Sequence, residues 1–296
     1  MESLTWKVRR LLAEAGVKPR RKLGQSFMVD RELLARMVDY GEVSRADRVL
    51  EVGAGLGFLT EVLAGRAGLV LAVEADPRLF RLLKERFSRR ENVKLYLGDF
   101  LKLRLEGLYD KVVSNPPYSI ASPMLFKLIE APFKLAVLTL QREFAERLNA
   151  QPGMRSYGRL TVSAYYWVEV EILEHVKPEA FYPRPEVSSV VVRLKPRGSP
   201  PFKLENYEFF SEVVKLLFSQ RRRKLSRALQ TLAKLKPELG LKKPFMGVPY
   251  LERRVFTLAP EEFAEVANKL WELGGFPRLE GKKGGGEKPT SQPFSL

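Results

Sequence analysis

The 296-residue sequence predicts an α/β fold, a Rossmann-like open sheet followed by a small C-terminal helical domain. Three observations carry that reading. Buried-strand runs alternate with helical stretches between residues 48 and 149. A glycine turn, Gly53-Ala-Gly-Leu-Gly57, follows the first of those strands and opens a helix. The break Lys195-Pro-Arg-Gly-Ser-Pro-Pro201 ends the strand region, and helical patterns follow it.

Residues 5–15 place Trp6, Leu11, Leu12 and Ala15 at helical spacing, ending near Gly16. The basic stretch 18–22, with Arg20, Arg21 and Lys22, then runs into Gln25-Ser26-Phe27-Met28. It reads either as a solvated linker or as a flap whose cations touch phosphate while Gln25 to Met28 close over a ligand. A helix is expected over 30–40, with Leu33, Leu34, Met37 and Val38 on one face. After the strand at 48–52, a dinucleotide fingerprint would need glycine at position 58, where Phe58 stands, so a nicotinamide or flavin enzyme is disfavoured. The next strand, 69–74, ends in Glu74, 21 residues after Gly53, placed to accept the hydroxyls of a ribose. Asp76 reads as a helix N-cap with Pro77 as first helical residue. A strand at 93–97 delivers Asp99, either a turn former or an acceptor for the adenine amine of a cofactor. A fourth strand, 111–114, feeds Asn115-Pro116-Pro117-Tyr118.

That tetrad is the chemical centre of the sequence, or else an ordinary turn. The exocyclic amine of a nucleobase is a poor nucleophile because its lone pair is delocalised into the ring. The Asn115 side-chain oxygen and the Pro116 carbonyl can each accept one N–H while Tyr118 stacks on the base, aiming the lone pair at a methyl donor. Two prolines hold φ near about −65° and remove two backbone donors, so the carbonyls face no competing N–H.

Beyond it, helices are expected over 123–130 and 141–149 and a strand over 135–140, while 160–167 reads as helical or extended. The glycine-containing loop 151–158 is a candidate substrate clamp. Residues 168–176 alternate as a half-exposed strand, Phe181 to Val187 form a rigid aromatic-bearing loop, and 188–194 form a last strand. One long helix or two are expected over 207–233. The resulting domains are 1–28, a basic helix and cofactor-covering loop; 29–198, catalytic; 199–273, small and helical; and 274–296, a disordered tail.

The chain has no cysteine and a single histidine, His175, which excludes thiolate chemistry, leaves no His-rich metal site and disfavours a His-dependent triad. The chemistry is therefore expected to run on a bound cofactor and without a metal. Net charge is +16, of which residues 1–22 hold +5 and residues 213–237 hold +8. Arg221, Arg222, Arg223, Lys224 and Arg227 crowd together without a local acid, pointing to a polyanion partner, nucleic acid before membrane. No apolar run is long enough to span a membrane, and cytoplasmic residence as a monomer is expected.

From Lys22 to Leu273 the sequence resembles the rRNA adenine dimethyltransferases of the small ribosomal subunit. The motifs, in order, are Leu23-Gly24-Gln25-x-Phe27, Leu50-Glu-Val-Gly-Ala-Gly-Leu-Gly57, Val73-Glu74-x-Asp76, Gly98-Asp99, Asn115-x-Pro117-Tyr118, Tyr157-Gly158-Arg159-Leu160, Phe181-x-Pro183-x-Pro185-x-Val187-x-Ser189 and Phe218-x-Gln220-Arg221-Arg222. The resemblance implies a methyltransferase sheet that uses S-adenosylmethionine to convert two adjacent adenosines of the 3′-terminal 16S rRNA hairpin to N6,N6-dimethyladenosine, on a pre-30S particle during ribosome biogenesis. By position it assigns Gln25, Ser26 and Met28 to the methionine region and Gly53 and Gly55 to close backbone approach. Glu74 goes to the ribose, Asp99 to the adenine, Asn115 to methyl transfer, and Tyr118 with Phe181 to a sandwich around the flipped base. Pro116 stands where the family usually has Leu or Ile, and Ser26 where it often has Asn or His. Pro116 makes the tetrad similar to that of DNA adenine methyltransferases, so a DNA enzyme and a non-catalytic assembly factor remain alternative readings.

Overall fold

The computed structural model describes residues 3–19, 25–129, 131–235, 237 and 245–274. Arg20, Arg21 and Lys22, and the expected tail beyond residue 274, lie outside them. Two compact units divide the chain, one of residues 1–145 and 169–196, the other of residues 146–168 and 197–296.

In the first unit, α1 (Leu4–Glu14) is capped by the Ser3 hydroxyl and buries Leu4, Val8, Leu11 and Leu12. The short β1 (Phe27–Met28) leads into α2 (Arg31–Tyr40), whose N-cap Asp30 accepts from the Leu33 N–H. The α/β alternation then follows as β2 (Arg48–Val52), α3 (Phe58–Arg66), β3 (Leu69–Glu74), α4 (Pro77–Arg86), β4 (Val93–Leu97), β5 (Lys111–Ser114), α5 (Ala121–Ile129), β6 (Leu135–Gln141) and α6 (Arg142–Leu148). Asp76 caps α4 and Pro77 opens it, because proline lacks the N–H that a first turn leaves unpaired. Beyond α7 (Arg159–Trp167), which belongs to the second unit, come β7 (Val168–Val176), β8 (Phe181–Tyr182) and β9 (Ser189–Pro196).

The seven-stranded sheet has the order β4-β3-β2-β5-β6-β9-β7. Strands β4 through β6 are mutually parallel and β9 is antiparallel to β6. Succession reverses between β2 and β5, so the crevice at their carboxyl ends is the topological switch point. The residues paired there are Val49 with Lys111 and Leu50 with Val112. Beyond them the Ser114 hydroxyl takes over, donating to the Val52 carbonyl at 2.6 Å and accepting from the Val52 N–H at 3.3 Å, fully buried. A side chain thus replaces backbone pairing at the carboxyl ends of the two strands. Separately, β1 and β8 pair antiparallel, with Phe27 opposite Tyr182 and Met28 opposite Phe181.

The second unit is helical. Its core gathers Tyr157, Val162, Phe210, Leu217, Leu229 and Phe263 from α7 and the loop before it, α8 (Tyr207–Ser219), α9 (Leu225–Leu235) and α10 (Pro260–Glu272). The sequence draws its boundary at residue 198, whereas this unit also takes 146–168. The reason is burial: Val162 and Tyr157 are inside its core, and the Tyr157 hydroxyl donates to the Leu258 carbonyl at 2.7 Å. No helix among the described residues is long and apolar enough to cross a membrane.

Ser114→Ala should strip buried Val52 groups of their partner, costing roughly 1–3 kcal/mol. Urea unfolding should show a lower midpoint at unchanged slope. An unchanged midpoint would mean that other contacts hold the strand ends together.

Candidate active site

At the switch point a cavity is lined by Gln25, Ser26, Phe27 and Met28 on one side, Gly53 to Leu56 and Glu74 on another, and Asn115 to Pro117 on a third. The glycines are dictated by approach as well as by angle. Gly53 has φ +77° and a Cβ there would lie 2.9 Å from Pro117 Cδ, while Gly55 has φ +58° and its Cβ would lie 3.1 Å from the Phe27 ring. The cavity is narrow, about 70 Å³, with the Phe27 ring edge packed over Gly55.

Glu74 is 7% exposed, and its two oxygens accept the N–H groups of Gly55 at 2.7 Å and Asp76 at 2.8 Å. Burial pushes its pKa up while these backbone donors pull against the rise. Each oxygen retains a lone pair for a further donor such as a hydroxyl. Asp76, by contrast, is committed to capping α4 and to Arg78, which hold its carboxyl below the usual range. Asp99 does not line the cavity. It is exposed, and one oxygen closes a turn by accepting from the Leu101 N–H at 3.0 Å.

A second carboxylate at this cavity escaped the sequence reading. Glu51, 2% exposed in β2, accepts the Thr60 hydroxyl at 2.5 Å and lines the same wall. Burial first, then the neighbouring Glu74 charge, push its pKa up to about 8, with Thr60 opposing. The available signal was an acid inside the otherwise apolar run 49–52, two residues before Gly53 opens the glycine turn.

A second cavity of about 500 Å³, within the ~300–1,000 Å³ usual for small-molecule sites, is lined by Tyr118, Ser119, Gln141 and the 183–187 loop. Gln25 and Ser26 line both cavities. Between them the tetrad turns its first three residues to the first cavity and Tyr118 to the second. The Asn115 amide donates through Nδ2 to the Ser26 carbonyl at 3.3 Å, which leaves Oδ1 as a free-facing acceptor. Ser26 is itself latched, its hydroxyl donating to the Pro183 carbonyl at 2.5 Å. Tyr118 is tethered too, its hydroxyl 2.5 Å from Ser189 Oγ, and burial raises its pKa.

Phe181 corrects the expected base sandwich. It is 2% exposed, lines neither cavity and belongs to the first unit's core, because its pairing with Met28 turns it inward. Met28, also buried, does line the first cavity. The basic cluster of the second unit needs correction as well. Both terminal nitrogens of Arg221 donate to carbonyls of the 151–158 loop, Arg155 at 3.0 Å and Met154 at 3.2 Å, so this guanidinium is a strut. Lys224 pairs with Glu252 at 2.7 Å, an acid too distant in sequence for a local charge count. Arg223 donates to Thr231 Oγ1 at 3.0 Å. Arg222 and Arg227 are exposed and make no side-chain bond among the described residues.

Fold and site together define a Rossmann-like methyltransferase. The family model for ribosomal RNA adenine dimethylase matches residues 16–267, and the chain belongs to that family. It is 40% identical over 278 residues to a Methanothermobacter thermautotrophicus protein described as "Probable ribosomal RNA small subunit methyltransferase A", covering 93% of this chain and 99% of that one. A Methanosarcina acetivorans protein of the same description is 45% identical over 251 residues, covering 84% and 93%. The crystal structure of a dimethyladenosine transferase from Plasmodium falciparum matches with a TM-score of 0.73 at 27% identity, covering 84% of this chain and 98% of that one.

A carboxyl raised from 4.5 to about 8 holds an extra proton in the folded state between those values. Stability should therefore fall as pH rises through that window, by at most ~1.4 kcal/mol per pH unit. Glu51→Gln should flatten the decline in denaturation midpoints measured between about pH 5 and pH 8. A decline of equal slope in the variant would place the titration elsewhere.

Proposed function

We propose that this protein dimethylates N6 of two adjacent adenosines in the 3′-terminal hairpin of small-subunit rRNA, using S-adenosylmethionine, on an assembling pre-30S particle in the cytoplasm. The observation that carries this reading is the meeting of two cavities at Asn115–Tyr118, one lined by buried carboxylates and glycines, the other roomy and faced by an aromatic ring.

The groups that line the first cavity suit the cofactor, and at about 70 Å³ the cavity would have to widen to admit it. Glu74 would accept the ribose hydroxyls, Gly53 and Gly55 would let the backbone turn approach the ligand closely, and Glu51 would offer negative charge to a cationic ligand, which would draw its pKa down. Gln25, Ser26 and Met28 would border the methionine end. When bound, S-adenosylmethionine supplies an electrophilic methyl group. The protein's part is positional. Asn115 Oδ1 and the Pro116 carbonyl would accept the two N6–H bonds, holding the amine against conjugation with the ring, while Tyr118 stacks on the base. Neither acceptor is a base, so the proton lost from N6 passes to water. After one methylation a single N–H remains to be held, and the second cavity leaves room to reorient the amine.

RNA would be held through phosphate contacts, for which Arg222 and Arg227 are uncommitted and Arg223 partly so. Asn115→Ala should lower methyl transfer to undermethylated small subunits at least ~100-fold, leaving particle affinity within about twofold. Turnover at the wild-type rate would remove Asn115 from the chemistry. Arg222→Ala with Arg227→Ala should do the reverse, weakening binding and reducing the log–log salt slope by roughly 1.4–1.8. An unchanged slope would assign both cations to plain surface.

A further inference from the structure

We propose that Gln141 reads the acceptor base, its side-chain Nε2–H₂ donating to one of the two ring nitrogens, N1 or N7, that flank N6. This rests on the reading of the second cavity as the acceptor site.

Gln141 is the last residue of β6 and stands directly opposite Ser189 of β9 in antiparallel register. Opposed residues project to one face of a sheet. On that face Ser189 Oγ meets the Tyr118 hydroxyl at 2.5 Å, so Gln141 is carried beside the tyrosine proposed to stack on the base. Gln141 and Tyr118 line the same cavity.

The polar groups around Gln141 are committed. Ser189 holds Tyr118, Ser26 holds Pro183, Arg184 pairs with Glu179 at 3.3 Å, and Gln25 and Ser119 have partners of their own. The half-buried Gln141 amide has no hydrogen bond among the described residues, whereas the other uncommitted polar side chain of this wall, Glu186, is exposed at the rim. A half-buried amide facing a cavity of nucleoside size is matched by a ligand that offers it an acceptor.

Adenine supplies one. With both N6–H groups taken by Asn115 and Pro116, the groups left beside N6 are the lone pairs on N1 and N7, to which an amide N–H can donate. Guanine would put a carbonyl oxygen against the two acceptors, leaving them unpaired, and its N1 carries a proton where adenine has a lone pair, whereas N7 is an acceptor in both purines. At N1 the amide favours adenine, and at either nitrogen it sets the angle at which N6 is presented. Gln141 would act as a specificity-determining residue that touches the base without taking part in the proton or methyl movements.

The test uses the full chain and undermethylated small subunits reconstituted with rRNA carrying adenosine, 1-deazaadenosine or 7-deazaadenosine at the acceptor positions, with kcat/KM as readout. The wild type should lose about 10–100-fold on one analogue. Gln141→Ala should lose a similar factor on adenosine and show no further loss on that analogue, with cofactor affinity unchanged. Gln141→Met, which keeps the side-chain volume, should behave as Gln141→Ala does, separating the lost hydrogen bond from lost packing. An analogue penalty as large in both variants as in the wild type, or a wild type indifferent to both analogues, would overturn the proposal. Failure of the wild type to methylate unmodified particles would strike down the functional reading first, and this inference with it.

Discussion

The ends of β2 and β5 are held together by the Ser114 hydroxyl after their backbone pairing has stopped, and the site depends on that substitution of side chain for ladder. Continued pairing would close the crevice. Uncontrolled splaying would separate the glycine turn from the tetrad, which pack so closely that a Cβ on Gly53 would lie 2.9 Å from Pro117 Cδ. A single buried hydroxyl on β5 sets the width of the gap through its two hydrogen bonds to Val52 of β2.

The second constraint is the segment shared by both cavities. Residues 25–28 are pinned by the β1–β8 pairing and by the Ser26 latch on Pro183, and the Ser26 carbonyl in turn fixes which end of the Asn115 amide faces outward. The segment proposed to cover the cofactor would therefore also orient the proposed acceptor of the amine. At position 26 the backbone carbonyl holds the Asn115 amide and the serine hydroxyl reaches the Pro183 carbonyl. On the proposed reading proline would suit position 116 for a related reason: the group used there would be a carbonyl, which every residue has, and the side chain is buried.

Much of this was legible in the sequence because it is local. Strand and helix alternation, the Asp76-Pro77 cap, Glu74 at a strand end and the tetrad after β5 are each written in neighbouring residues. What escaped reading depends on register and distance. Gln141 faces the second cavity only because β9 sets it opposite Ser189, and Glu51 matters because α3 returns Thr60 to it. Phe181 looked free to stack until pairing with Met28 turned it inward, and the crowded cations looked uncompensated until Glu252 and two loop carbonyls were found beside them. The boundary at residue 198 followed composition, while burial of 146–168 in the helical unit follows packing.

The most direct test of the account is mass spectrometry of nucleosides after the protein and labelled S-adenosylmethionine meet undermethylated small subunits or duplex DNA in separate reactions. The account predicts N6,N6-dimethyladenosine from the subunits and no methylated adenine from the DNA. Monomethylated adenine in the duplex, or no transfer to either substrate, would contradict it.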